Sequence, residues 1–144
     1  MKIELREPKT QEEWEQYYDL RYRVLRKPWN GEKQSSQGEG EDSAIHLAAW
    51  DGGKIAGAGR LNFLSPEEVQ IKGMAVDGDF AGRGVGSLML RGLEERAARL
   101  GARRVLLHAR ESALEFYRKN GYEVGNQSYT LFGVIAHWEM RKTL

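Results

Sequence analysis

The stretch from Val69 to Leu100 constrains this chain more than any other. An apolar run (Val69, Ile71, Met74, Ala75, Val76) reads as a strand, Asp77-Gly78-Asp79 as a turn, and Ala81-Gly82-Arg83-Gly84-Val85-Gly86-Ser87 as a glycine-rich loop opening a long amphipathic helix. Val85, Met89, Leu93, Ala97 and Leu100 recur on one face of that helix, and Gly101 supplies its C-terminal cap. Glycines at 82, 84 and 86 take side chains out of the way, so backbone N–H groups can close around a ligand oxygen. The start of a helix adds unpaired donors and about half a positive charge, which favours a phosphate or diphosphate, and Arg83 adds a cation. Two familiar phosphate loops fail on spacing. G-x-G-x-x-G is broken by Ser87 or Met89, depending on the starting glycine, and no Gly-Lys-Ser or Gly-Lys-Thr occurs.

The rest of the chain reads as an α+β arrangement. Lys2 to Arg6 alternates as an edge or near-edge strand, and Thr10 with Glu13 forms a capping box. The helix that follows carries a stripe of Trp14, Tyr17, Tyr18, Arg21 and Leu25, read as core packing, and Pro28 stops it. From Trp29 to Asp42 no periodicity survives. This loop is expected to wall a binding site, with Trp29 as a wall and Glu39, Glu41 and Asp42 attracting a cation, or else to be a solvated connection. Ser43 to Trp50 and Ile55 to Phe63 read as strands joined by a turn at Gly52-Gly53, the second carrying the small run Ala56-Gly57-Ala58-Gly59. Three antiparallel strands leading into the phosphate-loop helix exclude a repeated βαβ plan. Arg103 to His108 then gives a strand, Ser112 to Asn120 a helix, Tyr122 to Gly125 and Ile135 to Met140 two further strands, with Asn126 to Gly133 a polar connection.

With 144 residues the chain is expected to form a single domain, residues 1–144. Net charge is +1 with charged residues at 30 %, interspersed rather than blocked, which argues against nucleic acid as a partner. The absence of cysteine excludes disulfides and thiolate chemistry. No run approaches the ~20 apolar residues of a membrane span, and the first residues do not resemble a signal peptide, so a cytoplasmic protein without a membrane partner is expected. No metal site is expected.

Met74-Ala75-Val76 followed by Ala81-Gly82-Arg83-Gly84-Val85-Gly86 resembles the coenzyme A loop of the GNAT superfamily of N-acetyltransferases, [Q/R]-x-x-G-x-[G/A], with Ala81 in place of the usual Gln or Arg. A second signature of that family, A-x-x-F-Y-x-x-x-G-[FY], is matched in full by Ala113 to Tyr122. An Asn often found just before it is Arg110 here, and the closing His137-Trp138-Glu139-Met140 is similar to a subgroup ending in His-x-x-Met. The resemblance implies a mixed central sheet, with antiparallel N-terminal strands and a splayed parallel pair (Val69–Val76 and Arg104–His108) flanked by helices. It implies acetyl-CoA as cosubstrate, held by Met74, Ala75 and Val76 on the strand and by Ala81, Gly82, Arg83, Gly84, Val85, Gly86 and Ser87 in the loop. Tyr117 matches the phenol that serves as general acid to the CoA thiolate. The activity implied is direct acetyl transfer to an amine of a small molecule or peptide; the alternative is a non-catalytic acyl-CoA sensor of the same fold. The position where several relatives place a catalytic Glu is Gln70, which leaves Glu111, His46, His137 or water as the base. A homodimer stays open at this point, as does the identity of the amine.

Overall fold

The computed structural model describes residues 2–27 and 40–144. Trp29 and Glu39 therefore lie outside the described residues, as does Pro28. The chain runs β1 (Ile3–Arg6), α1 (Gln11–Leu25), β2 (Ile45–Asp51), β3 (Lys54–Ser65), β4 (Glu68–Val76), α2 (Val85–Arg99), β5 (Arg104–Arg110), α3 (Leu114–Lys119), β6 (Glu123–Leu131) and β7 (Ile135–Thr143). All the strands join one sheet in the order β1-β2-β3-β4-β5-β7-β6. Every neighbouring pair is antiparallel except β4 and β5. The mixed sheet and its flanking helices match the fold class expected above.

Local sequence explains most boundaries. Thr10 accepts from Glu13 N at 3.1 Å while Glu13 Oε1 accepts from Thr10 N, closing the capping box that starts α1. Alternation along β2 sends Leu47 and Ala49 to the core beneath α2, and Ala48 and Trp50 to the core beneath α1. The small run in β3 has a packing reason. A Cβ at Gly57 would sit 3.0 Å from Val85 Cγ1, and one at Gly59 would sit 2.7 Å from Met74 Sδ. The bare backbone there lets α2 lie close on the sheet.

Two expectations need correction. Residues 126–131 are not a connection: they continue β6, paired to β7 from Glu123↔Arg141 to Leu131↔Ile135. As the outermost strand β6 is exposed along nearly its whole length, so no buried face imposes an alternating pattern on its sequence. The helix expected over Ser112 to Asn120 is split, a 3-10 turn at Glu111–Ala113 leading into the short α3.

Candidate active site

The cleft begins where the parallel pair ends. β4 and β5 are in register only at Glu68↔Arg104, Val69↔Val105 and Gln70↔Leu106. Past Gln70 the edge of β4 facing β5 has no strand partner. A bulge reinforces the divergence: Gly73 and Met74 together oppose Gly59 of β3, with Gly73 at φ 66. The gap holds a cavity of about 440 Å³, walled by Gln70 to Met74 of β4, Leu107 to Arg110 of β5, and Tyr117. The end of α1, Tyr129 on β6 and His137 on β7 complete it.

The glycine loop lies at the far end of β4. Asp77 Oδ1 accepts from Asp79 N at 2.9 Å, capping a 3-10 turn over Gly78–Phe80, and Lys54 pairs with Asp79. Buried Phe80 anchors the turn, and the Arg83 guanidinium lies over its ring at 5.8 Å from the centroid. Gly82 and Gly84 both have positive φ, 74 and 80, and a Cβ on either would project into open space. The first helical bond of α2 runs from Leu88 N to Gly84 O at 3.1 Å. The N–H groups of Val85, Gly86 and Ser87 thus precede the intrahelical ladder. At Gly86 the missing side chain also has a packing reason. It makes room for Phe116, whose Cζ would lie 2.9 Å from a Cβ there.

Of the strand residues expected at the site, Met74 lines the cavity, whereas Ala75 is buried in the core beneath α1 and Val76 packs against the core beneath α2. Tyr117 is buried on α3, edge-on to Phe116 and Tyr122 at 5.0 and 5.8 Å. Its hydroxyl makes no hydrogen bond among the described residues. Burial pushes its pKa up to about 12, against a smaller opposing pull from Arg110.

The three candidate bases separate cleanly. Glu111 is exposed and off the cavity wall. His46 is away from it too: its Nε2 lies 2.9 Å from Glu41 O and its Nδ1 2.8 Å from the Tyr17 hydroxyl, which itself donates to Gly59 O, so both ring nitrogens are engaged. His137 lines the cavity, and its Nδ1–H donates to Ile135 O at 2.9 Å, which makes Nε2 the basic nitrogen. Burial, ahead of the neighbouring cations, holds its pKa below the ordinary histidine value. Glu41, expected to attract a cation from solution, is instead engaged inside the protein, 2.7 Å from Arg21 and 3.4 Å from Arg60.

Comparison with known proteins decides the family. Residues 8–122 match the acetyltransferase (GNAT) family. The uncharacterized N-acetyltransferase YjcF of Bacillus subtilis (strain 168) is 30 % identical over 134 residues, spanning 93 % of this chain and 95 % of that protein. The chain belongs to the GNAT acetyltransferase family. Solved structures share the GNAT fold at low identity. An aminoglycoside 6'-N-acetyltransferase complexed with coenzyme A superposes with a TM-score of 0.81 at 18 % identity, over 99 % of this chain and 97 % of that one. Escherichia coli ElaA gives 0.81 at 20 % identity, over 98 % and 99 % respectively. The family match makes the chain an N-acetyltransferase.

Among the side chains of this GNAT cleft that sequence reasoning missed are His108 and Tyr129. His108 has a buried Nδ1 with no hydrogen-bond partner and tilts against Tyr129 at 5.5 Å, while His137 stacks on the same Tyr129 ring at 4.4 Å and 14°. For His108 a signal existed: with Leu107 and Ala109 turned to the core, period two sends His108 and Arg110 to the opposite face. Tyr129 had none, because its segment read as a loop.

Proposed function

We propose that this chain transfers the acetyl group of acetyl-CoA to the amine of a small molecule or peptide in the cleft between β4 and β5. The observation that carries the reading is the early end of β4–β5 pairing, which leaves a cavity with Tyr117 on its wall. Fit to the cosubstrate rests on the open space above Gly82 and Gly84 together with the helix start at Val85, a concavity of backbone donors suited to a diphosphate. The main chain of Met74, Ala75 and Val76, with Ala81, Gly82, Arg83 and Gly84, would hold acetyl-CoA, and the N–H groups of Val85, Gly86 and Ser87 would be the donors to its diphosphate. The thioester supplies an activated acyl carbon and a thiolate leaving group. The unpaired edge of β4 offers backbone donors to the carbonyl oxygen as negative charge develops on it. Tyr117 donates its hydroxyl proton toward the departing sulfur, and Nε2 of His137 accepts the proton released by the amine.

The direct test is release of CoA thiol from acetyl-CoA across an amine panel, with mass detection of the acetylated product. Saturable binding of acetyl-CoA without turnover of any amine would mark the chain as a sensor instead. A pH profile adds a second check. An alkyl amine has an ordinary pKa near 10.4, so kcat/KM climbs between pH 6 and 9 as the free base accumulates. With Tyr117 held protonated up to about pH 12, no descending limb is expected in that range. A profile that falls above pH 8 rejects the phenol as proton donor.

The loop has its own test. Gly84→Ala places a Cβ where the diphosphate would lie and imposes strain at φ 80. Gly101→Ala imposes a similar strain at φ 99, remote from the loop. Acetyl-CoA affinity is expected to fall about tenfold in the first variant and stay unchanged in the second. Equal affinity in both means the loop does not hold the cosubstrate.

A further inference from the structure

We infer that the acceptor amine also carries an anionic group, a carboxylate or a phosphate, which Arg110 and Lys72 hold in the cleft. The inference rests on the cleft being the transfer site and adds the class of acceptor. Its basis is the charge of the cavity wall. Arg21, Arg26, Arg60, Lys72 and Arg110 all line it, and among the described residues no Asp or Glu does. Glu41 lies off the wall against Arg21 and Arg60, so its single negative charge is already committed to those two. Arg110 and Lys72 differ: among the described residues neither forms an ion pair.

Arg110 is half-buried on β5, donating from Nη2 to Leu25 O at 2.9 Å, the carbonyl that also accepts from Arg26 Nη1 at 3.1 Å. The negative end of α1 thus steadies both guanidiniums without supplying a full countercharge. Burial, then the charge of Arg110, holds the pKa of Arg26 below its ordinary value. A planar guanidinium in a partly desolvated wall is suited to two parallel bonds from a carboxylate or phosphate. Lys72 opens to solvent on the facing strand, where it draws the anion in. Glu139, the carboxylate that acts on His108, is ion-paired with Arg141 at 3.7 Å.

The same field accounts for Gln70. A simple alkyl ammonium meets like charge on entering, whereas an amine tethered to an anion is attracted by the anion. Once bound, its amino group is biased toward the neutral, nucleophilic form by the surrounding cations. A strong carboxylate base on β4 is then dispensable, and a neutral histidine suffices.

The experiment compares acceptors that differ only in the anion: L-leucine with L-leucinamide, and glucosamine 6-phosphate with glucosamine. The amide amine is the less basic of its pair, so more of it is free base at pH 7.5 and chemistry alone would favour it. The anionic member of at least one pair is expected to have a kcat/KM at least tenfold higher, through KM, and the pair that responds separates carboxylate from phosphate. Arg110→Gln and Lys72→Gln should each raise that KM about tenfold with acetyl-CoA affinity unchanged. Lys72 is exposed, so its variant reads out even if Arg110→Gln fails to fold. Neutral amines used as well as anionic ones, or a preference that survives Lys72→Gln and Arg110→Gln, overturn the inference and leave acyl transfer standing. Absence of acetyl-CoA binding overturns both. If acetyl-CoA binds but no acceptor turns over, calorimetric titration of the four acceptors into the CoA complex decides, and no excess affinity for the anionic members overturns the inference.

Discussion

Tyr117→Phe is expected to lower kcat about a hundredfold, at the low end of what a positioned proton donor contributes, with acetyl-CoA affinity unchanged. A thiol has an ordinary pKa of about 8.5, well below the value of about 12 to which burial pushes Tyr117. Proton transfer between the two in water would run the wrong way. In the cleft the departing thiolate is desolvated too, which raises its own pKa toward that of the phenol. The hydroxyl therefore acts first by donating a hydrogen bond to the charge forming on sulfur, and passes its proton as that charge grows. The variant also has a stability signature. Because the Tyr117 hydroxyl makes no hydrogen bond among the described residues, its removal leaves no buried partner stranded, and the melting temperature should hold. Tyr122→Phe is the mirror image. Its hydroxyl donates to Glu94 Oε2 at 2.8 Å, a carboxylate also held by Lys142 at 3.0 Å, so that variant should lose about 1.5–3 kcal/mol of stability and keep its kcat. If Tyr117→Phe retains full kcat, the phenol is packing alone.

What was legible in the sequence was what neighbours along the chain determine. The capping box of α1 needs only Thr10 and Glu13, three residues apart, and the tight turn between β2 and β3 needs only Gly52-Gly53 at Asp51↔Lys54. The glycine loop was legible as the junction between a strand and a helix, but the packing of Phe116 against Gly86 was not. The splay of β4 from β5 was expected only through family resemblance, since no residue pattern encodes where a parallel pair stops. β6 was misread because an edge strand exposed on both faces has a loop's composition. The charge of the cleft was out of reach for another reason. Arg110 and Leu25 meet across 85 residues, and Glu41, in a segment that reads as either a site wall or a solvated loop, faces Arg21 and Arg60 only after α1 has packed on the sheet. Long-range pairing of charges sets the electrostatics of this site, and sequence periodicity is blind to it.

That pairing yields the largest expected change in stability. Arg21 is 1 % exposed and Glu41 11 % at their side chains, with two bonds between them at 2.7 and 3.1 Å. Arg60, also buried, adds its charge to the same carboxylate at 3.4 Å. Removing one partner of a buried pair typically costs about 3–5 kcal/mol, because the remaining charge keeps its desolvation penalty and loses its compensation. Glu41→Ala should destabilise the fold by that order in denaturant unfolding. Glu4→Ala removes a carboxylate that is 68 % exposed beside Arg6 and should change stability by less than about 1 kcal/mol. The sign of the pH dependence follows from the carboxylate. Burial works to raise the pKa of Glu41, but Arg21, Arg60 and His46 outweigh it and hold the value below the ordinary one. Its contribution is therefore present in full above the unfolded pKa near 4.3 and is lost as pH falls through the folded value. The gap between wild type and Glu41→Ala should narrow on acidification below about pH 4. Function should register the loss as well. Arg21 packs on the bulge of β4, its Nε 3.0 Å from where a Cβ on Gly73 would stand, and both residues line the cleft. Letting that guanidinium shift loosens the strand at the point where it parts from β5, so acceptor KM should rise in Glu41→Ala even at temperatures where the variant is fully folded. Stability and KM equal to wild type would show that the Arg21–Glu41 pair is neither structural support nor part of the cleft's electrostatics.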